Sequence, residues 1–174
     1  MNATRRSARA LLLAALLGAF APAAAGQCVS LGPPGLVGCA PPGAAAPVLT
    51  CAGNSPAVGS ASFHLVASGF PAGSSVVELF LGFCAPTPIA PPAFVLPCPP
   101  ALLGCNVRVD LGAFFVIPPR ICGPTSCVPD WPLPIPNDSS LVGVTLCAQS
   151  IAIALAAAPP CSAISNGLSI TIIP

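Results

Sequence analysis

The sequence predicts an all-β sandwich with long loops that are rich in proline and cysteine and are stabilised by disulfides. About seven short apolar segments, some with alternating polarity, are separated by turns of Gly, Pro and Asn. The 174 residues include 25 Pro and 16 Gly, a density that excludes a helix bundle or a coiled coil. Ten cysteines can supply the covalent links of such a fold.

A secretory signal peptide is predicted over residues 1–25. Arginines at the start precede an apolar run at 10–21, and small residues around Ala23 and Ala25 form a cleavage site. The run is too short to cross about 30 Å of hydrocarbon as an anchor. The mature chain would therefore begin at Gly26, and we expect it in the periplasm or cell envelope or outside the cell.

All ten cysteines follow the predicted signal peptide. An even number of cysteines in an exported chain predicts up to five disulfides. Sequence spacing does not determine the pairing, although short loops make Cys98–Cys105 and Cys122–Cys127 candidates. The disulfide candidates are Cys28, Cys39, Cys51, Cys84, Cys98, Cys105, Cys122, Cys127, Cys147 and Cys161.

Residues 26–46 are predicted to form an irregular arm, because Pro-Pro and Gly-Pro steps interrupt regular structure, and a β-sandwich domain is predicted over 47–174. Branched and aromatic residues mark the first strands. In one of them Phe63, Leu65 and Ala67 share a face, which predicts that this face is buried. The predicted strands of this half are 47–51, 60–68 and 75–83, with turns at 54–56 and 69–73.

The second half contains two predicted loops, 84–105 and 118–130, which carry several prolines and five of the cysteines between them. The other predicted elements are strand pieces at 106–111 and 113–117, an extended edge piece at 131–135, a turn or short helical turn at 137–139, strands at 142–149 and 150–155, a turn at 165–167 and a strand at 168–173.

Two alternatives concern the apolar run near the C-terminus. Residues 148–158 are rich in alanine and could form a helix. Residues 141–158 carry no charge and are long enough to cross a membrane as a helix. Gln149 and Ser150 at the centre of the run, and the absence of flanking Lys or Arg, argue against a span. We expect no membrane span in the mature chain.

The composition excludes nucleic acid as a partner and supplies few residues of the types that carry out catalysis. Only 5% of residues are charged, and outside the N-terminus the basic residues are Arg108 and Arg120. A Ser-His-Asp triad would need His64, the single histidine, which is expected on a strand's outward face. Acidic residues are scattered and Asp138 fits an Asx-type turn better than a calcium site. We expect no enzyme, no cofactor and no metal.

The last third resembles an uncharacterised module of secreted bacterial proteins. The segments that carry the resemblance are 131–138 (WPLPIPND), 141–149 (LVGVTLCAQ) and 165–170 (SNGLSI), and it extends roughly over 47–173. The resemblance implies an immunoglobulin-like antiparallel sandwich of the kind often found at the C-terminus of extracellular proteins. It implies no activity and no site residues. This chain departs from the module at Cys147, where an aromatic residue is usual, and has extra cysteines.

These observations together favour a non-catalytic secreted module with a structural or protein-interaction role in the cell envelope or exterior. Its partners would be further copies of itself or other envelope proteins, because an apolar surface with few charges favours association. The alternative is an extracellular domain that binds a ligand or a carbohydrate, with Trp131 as the possible ligand contact.

Overall fold

The protein is all-β, with two antiparallel sheets, in a computed structural model that describes residues 28–31, 38–40, 45–70, 76–89, 105–123, 127–154 and 161–174. The predicted signal peptide lies outside these residues. The strands are β1 (Cys28–Leu31), β2 (Val48–Gly53), β3 (Phe63–Ser68), β4 (Val76–Ile89), β5 (Val107–Ile121), β6 (Asp130–Pro132), β7 (Thr145–Ala154), β8 (Cys161–Ile164) and β9 (Gly167–Thr171).

The sheets differ in size. The large sheet has six strands in the order β1-β9-β7-β4-β5, with β8 also paired to β7. The small sheet has the order β2-β3-β6. Every named strand pair is antiparallel. The prediction of an all-β, sandwich-like fold is therefore confirmed.

The main core lies between the two sheets. Phe63, Leu65 and Ala67 are buried on one face of β3, as their alternation predicts. They pack with Val77 and Leu79 of the large sheet. Because successive side chains of a strand point to opposite faces, one alternating pattern per strand is enough to build this layer.

A second core covers the opposite face of the large sheet. Phe80 and Ile151 on that face pack with Val107 and Val109 from the beginning of β5. Arg108 between them donates its N–H to the Gln149 side chain at 2.9 Å. The first residues of β5 therefore fold over the large sheet, and both faces of that sheet are buried at this point.

Four disulfides join the described residues: Cys28–Cys51, Cys39–Cys105, Cys84–Cys147 and Cys122–Cys127. The Cys122–Cys127 prediction is confirmed. The Cys98–Cys105 prediction is wrong, because Cys105 is buried in the second core beside Cys39.

The disulfides indicate an oxidising environment such as the periplasm or the exterior. Within the described ranges, the structure has no helix with the length and apolar character of a membrane span.

Several strands are longer than the sequence predicts. Residues 28–31 form β1 instead of an irregular segment, because β9 offers them a backbone partner. β4 continues through Pro86 and Pro88 to Ile89, where irregular pairing accommodates residues that lack a donor. β5 is one strand that includes Pro118 and Pro119 at the end of the sheet. The predicted loops are therefore wrong for residues 84–89 and 118–121.

Residues 145–154 form the single strand β7, so the helical alternative is wrong as far as residue 154. Beyond β7, the predicted turn at 165–167 is wrong and β8 was not predicted. Leu168 pairs with Ala148, and Ile164 pairs with Ile151. The three residues 165–167 therefore lie opposite only the two residues 149 and 150 of β7. β8 and β9 are thus one extended run interrupted by a β-bulge.

Candidate functional site

The single histidine lies on the outer surface of the small sheet, next to an acid. His64 Nδ1 is 2.7 Å from Asp130 Oδ1, and both side chains are partly exposed. The neighbouring strands β3 and β6 bring these residues together. On the other side of the ring lies Gly53, where an added Cβ would come within 3.1 Å of Nε2. The opening beside the ring is lined by Gly53, Ala61, Ser62, Phe63 and Pro132.

Trp131 lies in the main core and is 1% exposed. It belongs to β6, between two exposed residues, and its side chain points inward. The proposed ligand contact is therefore corrected: a buried indole cannot offer its face to a sugar at the surface. Its ring nitrogen is buried without a hydrogen-bond partner among the described atoms.

The carboxylates of Asp110 and Asp138 each bond to a backbone amide two residues further along the chain. Asp110 accepts the N–H of Gly112 at 2.8 Å, and Asp138 accepts that of Ser140 at 2.9 Å. The backbone hydrogen bond from Ser140 lowers the pKa of Asp138 below its ordinary value. The Asx-type turn predicted at Asp138 is confirmed, and a 3₁₀ turn follows it. Among the described residues, no three acidic, His or Cys side chains are grouped to hold a metal.

The most polar part of the interior surrounds the β-bulge. Gln149, opposite the bulge, donates from Nε2 to the carbonyl oxygens of Asn106 and Ser165 at 3.0 and 2.9 Å. Its Oε1 accepts the N–H of Arg108. This buried amide thus connects β7, the bulge and the residues at the start of β5.

Asn166 in the bulge connects the large sheet to the small one. Its Oδ1 accepts the N–H of Leu49 at 2.7 Å, and its Nδ2 donates to the carbonyl oxygen of Leu49 at 3.1 Å. Nδ2 also donates to Ser30 Oγ at 3.3 Å. Because β2 is an edge strand, the Asn166 amide satisfies the Leu49 backbone as a neighbouring strand would. The sequence analysis did not predict the structural roles of Gln149 and Asn166. The available signal was the position of these two polar residues within apolar runs.

An apolar opening lies between the sheets at one end of the sandwich, and we call it the end groove. Its volume is about 410 Å³. One wall is the extended chain that continues from β6, and the other is formed by the beginning of β7, the end of β9 and the residues just before β7. The lining residues are Phe63, Leu81, Leu133, Pro134, Ile135, Pro136, Leu141, Val144, Leu146, Ile170 and Ile172.

A second apolar surface lies at the end strand of the large sheet, and we call Ala113–Ile117 of β5 the β5 edge. Phe115 is 72% exposed, and the neighbouring Val116 is exposed too. Further along the strand, Ile121 is 86% exposed. Because Phe115 and Val116 point to opposite faces, the strand presents apolar side chains on both.

Comparison of the chain with models of protein families, with curated proteins and with solved structures found no match.

Proposed function

We propose that the protein is a non-catalytic, secreted structural or interaction module of the cell envelope or exterior, and that the β5 edge is its contact surface. The observation that carries this proposal is the exposure of an apolar edge strand. Edge strands usually carry charges that discourage pairing with another chain. Here residues 113–117 carry none, and Arg120 is the first charged residue after them.

The same strand limits how much of it can pair. Pro118 and Pro119 have no N–H to donate, so hydrogen bonding to a partner strand would be interrupted just after residues 113–117. A partner would be a second copy of the chain or another protein of the exterior that adds a strand in this register.

Strand order supports an immunoglobulin-like version of the sandwich. In chain order, β2, β3 and β6 correspond to strands A, B and E of that fold, and β4, β7 and β9 to C, F and G. β1 and β5 extend the second sheet at its two ends. The carbohydrate-binding alternative gains no such support from Trp131, its possible ligand contact, because that side chain is buried.

The test is the mass of the oxidised, processed protein as a function of concentration, by light scattering after size-exclusion chromatography. We expect self-association in the wild type and its loss in Phe115→Lys, which places a charge on the β5 edge. Val29→Lys is the matched control, since Val29 is an exposed apolar residue on the opposite end strand of the same sheet.

A wild-type protein that stays monomeric at all concentrations and in envelope extracts would contradict the proposal. The same mass analysis under non-reducing and reducing conditions distinguishes strand pairing from covalent cross-linking, because strand pairing survives alkylation and does not require an intermolecular disulfide.

A further inference from the structure

Backbone hydrogen bonds hold both walls of the end groove in place. Leu133 donates its N–H to Phe63 O at 2.9 Å, and Ile135 donates to Ser60 O at 2.8 Å, so the extended segment after β6 is fixed along one wall. On the other side, Ile172 donates to Val144 O at 3.0 Å. A surface that is already hydrogen-bonded in this way does not need a ligand to become ordered.

These same bonds determine the chemistry of an occupant. The lining side chains are all hydrocarbon, and the amides of Leu133, Ile135, Val144 and Ile172 are used within the protein. A sugar or a peptide strand that entered the groove would lose hydrogen bonds to water without replacing them at these amides. A hydrocarbon chain has no such bonds to lose and gains from leaving water.

We propose that the end groove binds the aliphatic chain of a free long-chain amphiphile of the fatty-acid class, with its head group left in solvent. The volume of about 410 Å³ lies within the usual range of roughly 300–1,000 Å³ for small-ligand pockets. None of the lining residues carries a charge, so the groove selects the chain and not the head group. The site does not involve the β5 edge and does not depend on the proposed function.

The protein contains its own reporter for this binding. Trp131 is the single tryptophan and the chain has no tyrosine, so its ultraviolet emission comes from one buried indole. Trp131 belongs to the same core cluster as Phe63, Leu81 and Ile170, which line the groove. A heavy-atom quencher on a bound chain would therefore contact side chains of the cluster that contains the indole, whereas burial shields the indole from a quencher in solution.

The experiment titrates the oxidised, processed protein with 9,10-dibromostearate below its micelle concentration and follows Trp131 emission. We expect saturable quenching that unbrominated stearate reverses by displacement. Val144→Glu, which places a carboxylate in the lining, should weaken binding about tenfold or more. Val142→Glu is the matched control, because Val142 is exposed two residues away and does not line the groove.

Quenching that does not saturate, that stearate does not reverse, or that Val144→Glu and Val142→Glu affect equally would overturn the proposal. A doubled mass that persists in Phe115→Lys, together with a groove that dibromostearate cannot enter, would overturn it in favour of a second copy as occupant. If Val144→Glu does not fold, Leu141→Gln takes its place, and the displacement by stearate needs no variant.

Discussion

Replacing Asn166 by alanine tests whether the bulge holds the two sheets together. The change removes three hydrogen bonds, two of which satisfy the N–H and C=O of Leu49. Leu49 is fully buried, so water does not readily replace the lost partner. A buried polar group without a partner costs about 1–3 kcal/mol, and two such groups with some relaxation give a loss of about 2–5 kcal/mol in the free energy of unfolding.

The assay is urea unfolding of the oxidised protein, followed by Trp131 fluorescence and fitted for midpoint and slope. Asn54→Ala is the matched control, because Asn54 lies in an exposed turn, and we expect it to stay within about 0.5 kcal/mol of the wild type. An Asn166→Ala variant as stable as Asn54→Ala would refute the reasoning, since it would show that the Leu49 backbone does not need this amide.

Asn166→Asp separates the hydrogen bonds from the packing. The carboxylate keeps an acceptor for the Leu49 N–H but places a second oxygen against the Leu49 carbonyl, with no donor between them. We expect it to be at least as unstable as the alanine variant at neutral pH. Protonation restores an O–H donor, so its deficit relative to the wild type should shrink as the solution is acidified.

Two further perturbations test the second core. Gly167→Ala should cost about 1–3 kcal/mol by thermal unfolding, because the added Cβ would come within 2.8 Å of Arg108 Cβ, whereas Gly123→Ala, with nothing within 4 Å, should be nearly neutral. Removing the Cys84–Cys147 disulfide, which spans 63 residues, should lower the free energy of unfolding by about 2 kcal/mol more than removing Cys122–Cys127, which spans 5. Equal losses in urea unfolding would contradict this chain-entropy argument.

Alternating polarity predicted the strands that form the main core. The face of Phe63, Leu65 and Ala67 is buried because β3 lies at the centre of the small sheet and packs against a single layer. The sequence predicts two shorter strand pieces in place of β5, because Gly112 and the pair Pro118–Pro119 locally favour a loop. β5 is the last strand of its sheet, where a proline that lacks an N–H destabilises the sheet little. The local preference for a loop therefore predicts too early an end for this strand.

Other features depend on contacts between residues far apart in the chain, which no local pattern encodes. The pairing of Cys105 with Cys39 follows from the way residues at the start of β5 fold over the large sheet. The prolines of 131–135 predict an extended edge piece, and Trp131 within it is the possible ligand contact that the sequence offers. Those prolines do place the segment at a sheet edge, but the alternation along β6 still points the indole inward.

The bulge itself explains why both cores can be built from one continuous run of residues. Ala163 lies in the main core and Ile164 in the second, so strict alternation would send Leu168 and Ile170 to the second core as well. The extra residue between β8 and β9 reverses the alternation and returns both to the main core. Ser-Asn-Gly, which locally favours a turn, therefore serves here to change which face of the strand is buried, and Asn166 satisfies the backbone of the opposite sheet at that same position.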